Sequence, residues 1–164
     1  MPLVDEGVPP AKWGLSADGK SAALRIGHLL PADSVLVSSA EPKAYDTLVS
    51  ATGRSVATDA RLGEVTRPPE PFNADFRGPR LRYVAGQPPP GWEPPAQVVA
   101  RIDAVIAAHT IADRPLVLGG HGMALTTWLA LRGYVDDPVA FWSSLQLPDV
   151  VRVHEGVAHR LLDS

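Results

Sequence analysis

The sequence predicts an α/β layered domain with a mostly parallel sheet. Two observations point there. Helical patterns and short apolar runs alternate between Ser16 and Thr58, in the order helix, strand, helix, strand. Further along, the apolar run at residues 116–118 turns through Gly119, Gly120, His121 and Gly122 directly into a second compact helical pattern.

The first residues are loop chemistry. Only Leu3 and Val4 are apolar before Asp5, Glu6, Gly7 and the Pro9-Pro10 pair. Ser16 is a suitable N-cap for a helix through Ala22, Leu24, Ile26, Leu29 and Leu30, which Pro31 stops. Residues 34–38 read as a buried strand. Glu41-Pro42 then opens a helix over 42–51, ended by Gly53. Residues 55–58 are a short strand. From Asp59 to Pro95 regular structure fades, because nine of the 17 prolines fall between Pro68 and Pro95 and exclude long helices and central strands. Phe72, Phe76, Tyr83 and Trp92 can pack, so residues 59–95 are expected to form an ordered flap over a site. Arg67, Arg77, Arg80 and Arg82 in this flap are solvated or meet a second anionic group.

An amphipathic helix follows over 95–112, with Val98, Ile102, Val105 and Ile106 on one face. The pattern from Met123 to Arg132 is a helix closed by Gly133 as C-cap. Residues 138–145 suggest a short helix. Residues 149–153 and 157–162 read as a hairpin around His154, Glu155 and Gly156. No repeat or linker divides the chain, so residues 1–164 form a single domain.

Composition narrows the function classes. A formal charge of −3 gives no basic footprint for nucleic acid. The absence of cysteine excludes disulfides and thiolate metal sites. No apolar run approaches the roughly 20 residues of a membrane span, and the first residues lack the basic start and apolar core of a signal peptide. A cytoplasmic setting is the default reading. The five histidines show no metal-site spacing.

The strand-to-helix corner is the best candidate site. Such a corner leaves open backbone N–H groups and the positive end of a helix dipole, so anions settle there. His121 can hydrogen-bond or carry charge toward that anion. A nucleophile elbow would need Ser or Cys at His121, and the glycine spacing is wrong for a dinucleotide fingerprint. His28, among Ile26, Leu29 and Leu30, reads as structural. Glu64 and Lys43, taken alone, read as ordinary surface charges.

Four short motifs, in order over nearly the whole chain, resemble the histidine phosphatase, or phosphoglycerate-mutase-like, superfamily. Pro9 to Gly19 is similar to the segment that leads into the family's first helix. Ser38-Ser39, with Lys43-Ala44 and Thr47, resembles a Ser-Ser-x-x-x-Arg-Ala-x-x-Thr segment. Leu62-Gly63-Glu64 resembles a Leu-x-Glu that carries an acid, and Gly120-His121-Gly122 resembles the second histidine motif, usually Ser-His-Gly. The resemblance implies a three-layer α/β/α fold and a site without metal or other cofactor. A histidine there attacks phosphorus, donors hold the phosphoryl oxygens, and a carboxylic acid protonates the leaving oxygen. Carried over residue by residue, His121 is the second histidine, Glu64 the acid, and Lys43 stands in for an arginine. Gly120 and Gly122 join Lys43 as phosphate-binding positions. The implied ligand is a small phosphorylated substrate or inorganic phosphate.

The departures are as informative. The sequence contains no Arg-His-Gly motif, which the resemblance places immediately before Met1. The family's first strand is therefore expected to be absent from this chain, and the phosphohistidine route to be closed. Lys43 lacks the two-pronged grip of a guanidinium. Two readings stay open: a protein that continues upstream, or a non-catalytic module that keeps a phosphate pocket. Loss of a central strand would expose backbone edges, so instability or self-association through the unfilled strand position is expected.

Overall fold

A computed structural model describes residues 7, 9–70 and 75–161. Leu3, Val4, Phe72 and Leu162 lie outside the described residues. The elements are α1 (Ala17–Ile26), β1 (Val35–Ser38), α2 (Pro42–Thr52), β2 (Ala57–Thr58), α3 (Arg77–Val84), α4 (Pro95–His109), β3 (Leu116–Gly119), α5 (Gly122–Leu131), α6 (Pro138–Ser144), β4 (Val151–His154) and β5 (Val157–Arg160). Strands β2, β1 and β3 form a parallel sheet in that order. Helices cover both faces, giving three layers. No helix among the described residues is long and apolar enough to cross a membrane.

The sheet works because β1 is buried on both sides. Val37 is fully buried in a cluster with Val98, Ile102 and Val105 of α4 and Met123 and Ala124 of α5. Its neighbour Leu36 must then point to the opposite face, where α1 and α2 pack on each other and α2 packs on the sheet. Burying each such aliphatic side chain is worth about 1.5–3 kcal/mol, so α4's apolar stripe ties one layer to the sheet. Gly119 lets α2 approach: a Cβ there would lie 2.8 Å from a Leu48 methyl carbon and 3.1 Å from Ser38 Oγ.

The helix termini follow their caps. Ser16 Oγ accepts the Gly19 N–H at 3.1 Å, and Gly53 closes α2 at φ 63°. The helix expected to run to Leu30 ends at Ile26 and continues as a 3-10 turn over Gly27–Leu29. The tightening occurs where α2 presses closest, since a Cβ on Gly27 would lie 2.1 Å from the Ala51 carbonyl oxygen. Helix α4 stops at His109, earlier than the sequence pattern, because Thr110 is extended and Asp113 turns the chain at φ 61°. The hairpin β4–β5 turns on Glu155 and Gly156, both at positive φ, as a two-residue loop requires.

The proline-rich stretch is more ordered than its composition suggests, and it contains α3. Pro79 falls in the first turn, where its missing N–H is no loss, and Asp75 Oδ1 accepts the Arg77 and Gly78 N–H groups at 3.1 and 3.0 Å. Tyr83 is part of the main core at 1% exposure, its ring 5.6 Å from that of Trp92. Arg80, expected at the surface, is also buried: its guanidinium lies 3.5 Å from the centroid of Phe76 and donates to Glu70. Burial of an arginine needs such a partner.

Among the described residues, one edge of the sheet has no partner strand. Pro115 O accepts the Val35 N–H at 2.8 Å and Gly119 O accepts the Ser39 N–H at 2.7 Å, so the odd residues of β3 face β1. Leu116 and Leu118 therefore turn their N–H and C=O groups to the other edge, where among the described residues no hydrogen bond meets them. The hairpin forms a separate two-stranded sheet.

Candidate functional site

Parallel strands end on the same side of a sheet, and α/β sheets present their sites beyond the carboxyl ends of the strands. Here Ser38 is level with both Thr58 and Gly119. The chain leaving β1 thus delivers Ser39, Glu41 and Lys43 to the same place as the chain leaving β3, which delivers Gly120, His121 and Gly122. The turn after β2 brings Glu64.

His121 is the N-cap residue of α5, its carbonyl accepting the Leu125 N–H at 3.0 Å. The ring is buried, with Nε2 3.0 Å from Ser39 Oγ and 3.3 Å from Glu41 Oε1. Burial pushes the His121 pKa below its ordinary value, and the Glu64 and Glu41 carboxylates oppose that shift without overcoming it.

Glu64 lies against the start of α5. Its Oε1 accepts the Ala124 N–H at 3.0 Å and the Val65 N–H at 2.9 Å, and its Oε2 accepts the Met123 N–H at 3.4 Å. The helix end expected to leave N–H groups open to an anion is therefore partly occupied by this carboxylate. The Gly120 and Gly122 N–H groups make no hydrogen bond among the described residues and remain open. Arg101 of α4 fixes the loop that carries Glu64, its Nη1 donating to the carbonyls of Arg61 and Gly63 while the fork grips Glu93.

Lys43, in the first turn of α2, joins the cluster, but its ammonium is engaged. Nζ donates to Glu41 Oε2 at 2.7 Å and to Pro10 O at 2.8 Å. The Pro9-Pro10 segment therefore closes one side of the site through a 3-10 turn at Pro10–Lys12. The other histidines do not join: His109 Nε2 lies 3.2 Å from Asp59 Oδ2, and His154 and His159 sit on the hairpin. Among the described residues no cluster of three His, Cys, Asp or Glu side chains could hold a metal ion.

The residues singled out from the sequence, His121, Glu64, Lys43, Gly120 and Gly122, lie together, and the structure adds Glu41 and Ser39 beside them and Arg101 behind the Glu64 loop. Glu41 was legible only as the residue before a helix, yet its side chain makes no capping bond. The signal that finds it is positional: it follows the end of a parallel strand. Burial pushes the Glu41 pKa up, but the His121 ring, the Lys43 ammonium and the Glu64 N–H outweigh burial and hold it below the usual carboxylate range.

No protein-family model matches the sequence, and no curated protein does. Solved structures do. The mycobacterial glucosyl-3-phosphoglycerate phosphatase Rv2419c with VO3 is 31% identical, with 82% of this chain and 76% of that chain covered and a TM-score of 0.60. Its complex with inorganic phosphate gives 30%, 82%, 75% and 0.57. A protein described as Mycobacterial hydrolase 1 is 30% identical over 82% of this chain and 73% of that one, at a TM-score of 0.58. A mutant of TTHB049 from Thermus thermophilus matches in fold, with a TM-score of 0.69 over 93% of this chain and 86% of that one, at 20% identity. With the convergence of His121, Glu64 and Lys43 at the strand ends, these likenesses place the chain in the histidine phosphatase, or phosphoglycerate-mutase-like, superfamily.

Proposed function

We propose that the chain binds the phosphoryl group of a small phosphate ester, or inorganic phosphate, beside His121, and does not hydrolyse esters by itself. The observation that carries this reading is the gathering of the His121 imidazole, the Lys43 ammonium and the Gly120 and Gly122 N–H groups, unbonded among the described residues, at one corner. Those donors suit phosphoryl oxygens. Glu64 stands beside them as the residue that would give a proton to the leaving oxygen. Hydrolysis through a phosphohistidine also needs an imidazole nitrogen to attack phosphorus as the ester P–O bond breaks. Among the described residues no second histidine contacts the cluster, and His121 turns its Nε2 toward Glu41 and Ser39.

Thermal unfolding with and without phosphate or vanadate tests the pocket, since a ligand that binds only the folded state raises the melting temperature. Protection of the wild-type chain that is lost in His121→Ala is expected. No protection in either protein refutes the pocket. Steady turnover of p-nitrophenyl phosphate that survives in His121→Ala and depends on no added imidazole refutes the claim that the chain lacks a nucleophile.

A further inference from the structure

Two of the donors that this reading assigns to phosphate, Lys43 and His121, already meet an anion from the chain itself. Glu41 Oε2 takes the Lys43 ammonium at 2.7 Å. Its Oε1 lies 3.3 Å from His121 Nε2 and accepts the Glu64 N–H at 3.2 Å. A lysine, an imidazole and a backbone N–H, contributed by three separate segments, thus converge on one carboxylate.

That arrangement is more than a cap or a surface pair. The residue occupies the N-cap position of α2, yet its carboxylate turns away from the helix and makes no capping bond. The Glu41 N–H instead donates to Ser39 Oγ at 3.2 Å, which aims the side chain across the site toward His121. Both members of the Lys43–Glu41 pair keep some solvent contact, 24% and 17% of their side-chain surface, so the pair is not sealed off from an incoming ligand. The carboxylate is therefore held where a ligand oxygen would sit, but not so tightly that a dianion could not displace it.

We propose that Glu41 is a built-in competitor, an internal anion that occupies the phosphate donors and sets how strongly charged a ligand must be to enter. The inference rests on the phosphate-site reading above. A tethered group of this kind acts at an effective concentration on the order of millimolar, so weak monoanions are shut out while a dianionic phosphoryl group competes. When phosphate enters, the carboxylate swings toward solvent, and Lys43 and His121 exchange one anion for the other.

Calorimetric titration with inorganic phosphate of the wild-type chain, Glu41→Gln and Glu41→Asp tests this, with circular dichroism melts to establish that each is folded. Glu41→Gln removes the competing charge at nearly constant shape and is expected to bind phosphate about tenfold tighter or more. Glu41→Asp keeps the charge but withdraws it by one methylene, and is expected to fall between the two. Equal affinities for all three proteins overturn the inference and leave the phosphate pocket standing. Weaker binding by Glu41→Gln overturns it too, and makes Glu41 a positioning residue for Lys43. Tightening in Glu41→Gln with Glu41→Asp identical to wild type shows a field effect without occupancy, which also overturns it. If no protein binds phosphate, the pocket itself fails, and the competitor with it.

Discussion

Replacing Arg101 with alanine tests how the scaffold holds the site. Its fork donates to Glu93 at 2.8 and 3.1 Å, and Nη1 reaches the carbonyls of Arg61 and Gly63 just before Glu64. Both partners of the ion pair are largely buried, with 18% and 10% of their side-chain surface exposed. Without Arg101, the Glu93 carboxylate keeps one N–H donor, from Thr66 at 3.0 Å. Breaking a fully buried pair costs about 3–5 kcal/mol, and the residual exposure here reduces that to about 2–3 kcal/mol. For a chain of this size the melting temperature should fall by about 5–10 °C. Urea and thermal melts measure the loss, and a cycle with Glu93→Gln isolates the pair, with an expected coupling of about 1–2 kcal/mol. A loss under about 0.5 kcal/mol, or strict additivity in the cycle, would refute the reasoning.

Gly27→Ala should be among the most damaging surface-adjacent changes, by about 1–3 kcal/mol or more, because the new Cβ meets the Ala51 backbone and not a movable side chain; an unchanged urea midpoint would count against the α1–α2 packing described here. Stability should fall with acid in two stages. The folded pKa of His121 lies below its ordinary 6.5, so the unfolded chain binds the extra proton first and stability declines as pH drops below that value. Glu41 is lowered from 4.5, so its contribution is present above that value and is lost as pH falls through the lower folded value. His121→Gln should flatten the upper stage in urea melts across pH, and a slope that is unchanged would refute the assignment. The β3 edge, unpaired among the described residues, should promote pairing between chains, seen as concentration-dependent sedimentation; a monomer at every concentration, with a single cooperative melt, would rule that out.

By itself, the sequence determined the order of layers and half of the site. Short apolar runs and capped helical patterns identify strands and helices because burial and backbone hydrogen bonding impose different periods on each. The boundaries at Ser16, Gly53 and Gly133 were legible since caps are local chemistry. Helix α3 was not, because proline content signals breakage while position within the first turn decides whether proline breaks anything. Only the tertiary structure decided what the charged residues do. Glu41 and Lys43 are two residues apart in sequence and read as a helix opener and a surface charge, but His121 comes from a strand end 80 residues later in the chain (121 against 41). Their meeting depends on the parallel register that sets Ser38 beside Gly119. The same register turns the backbone groups of Leu116 and Leu118 to the far edge, which no local pattern reveals and where among the described residues nothing pairs with them. Periodicity reports which face of an element is buried, whereas a charge cluster is a property of where separate elements end, and that is fixed only when the sheet is assembled.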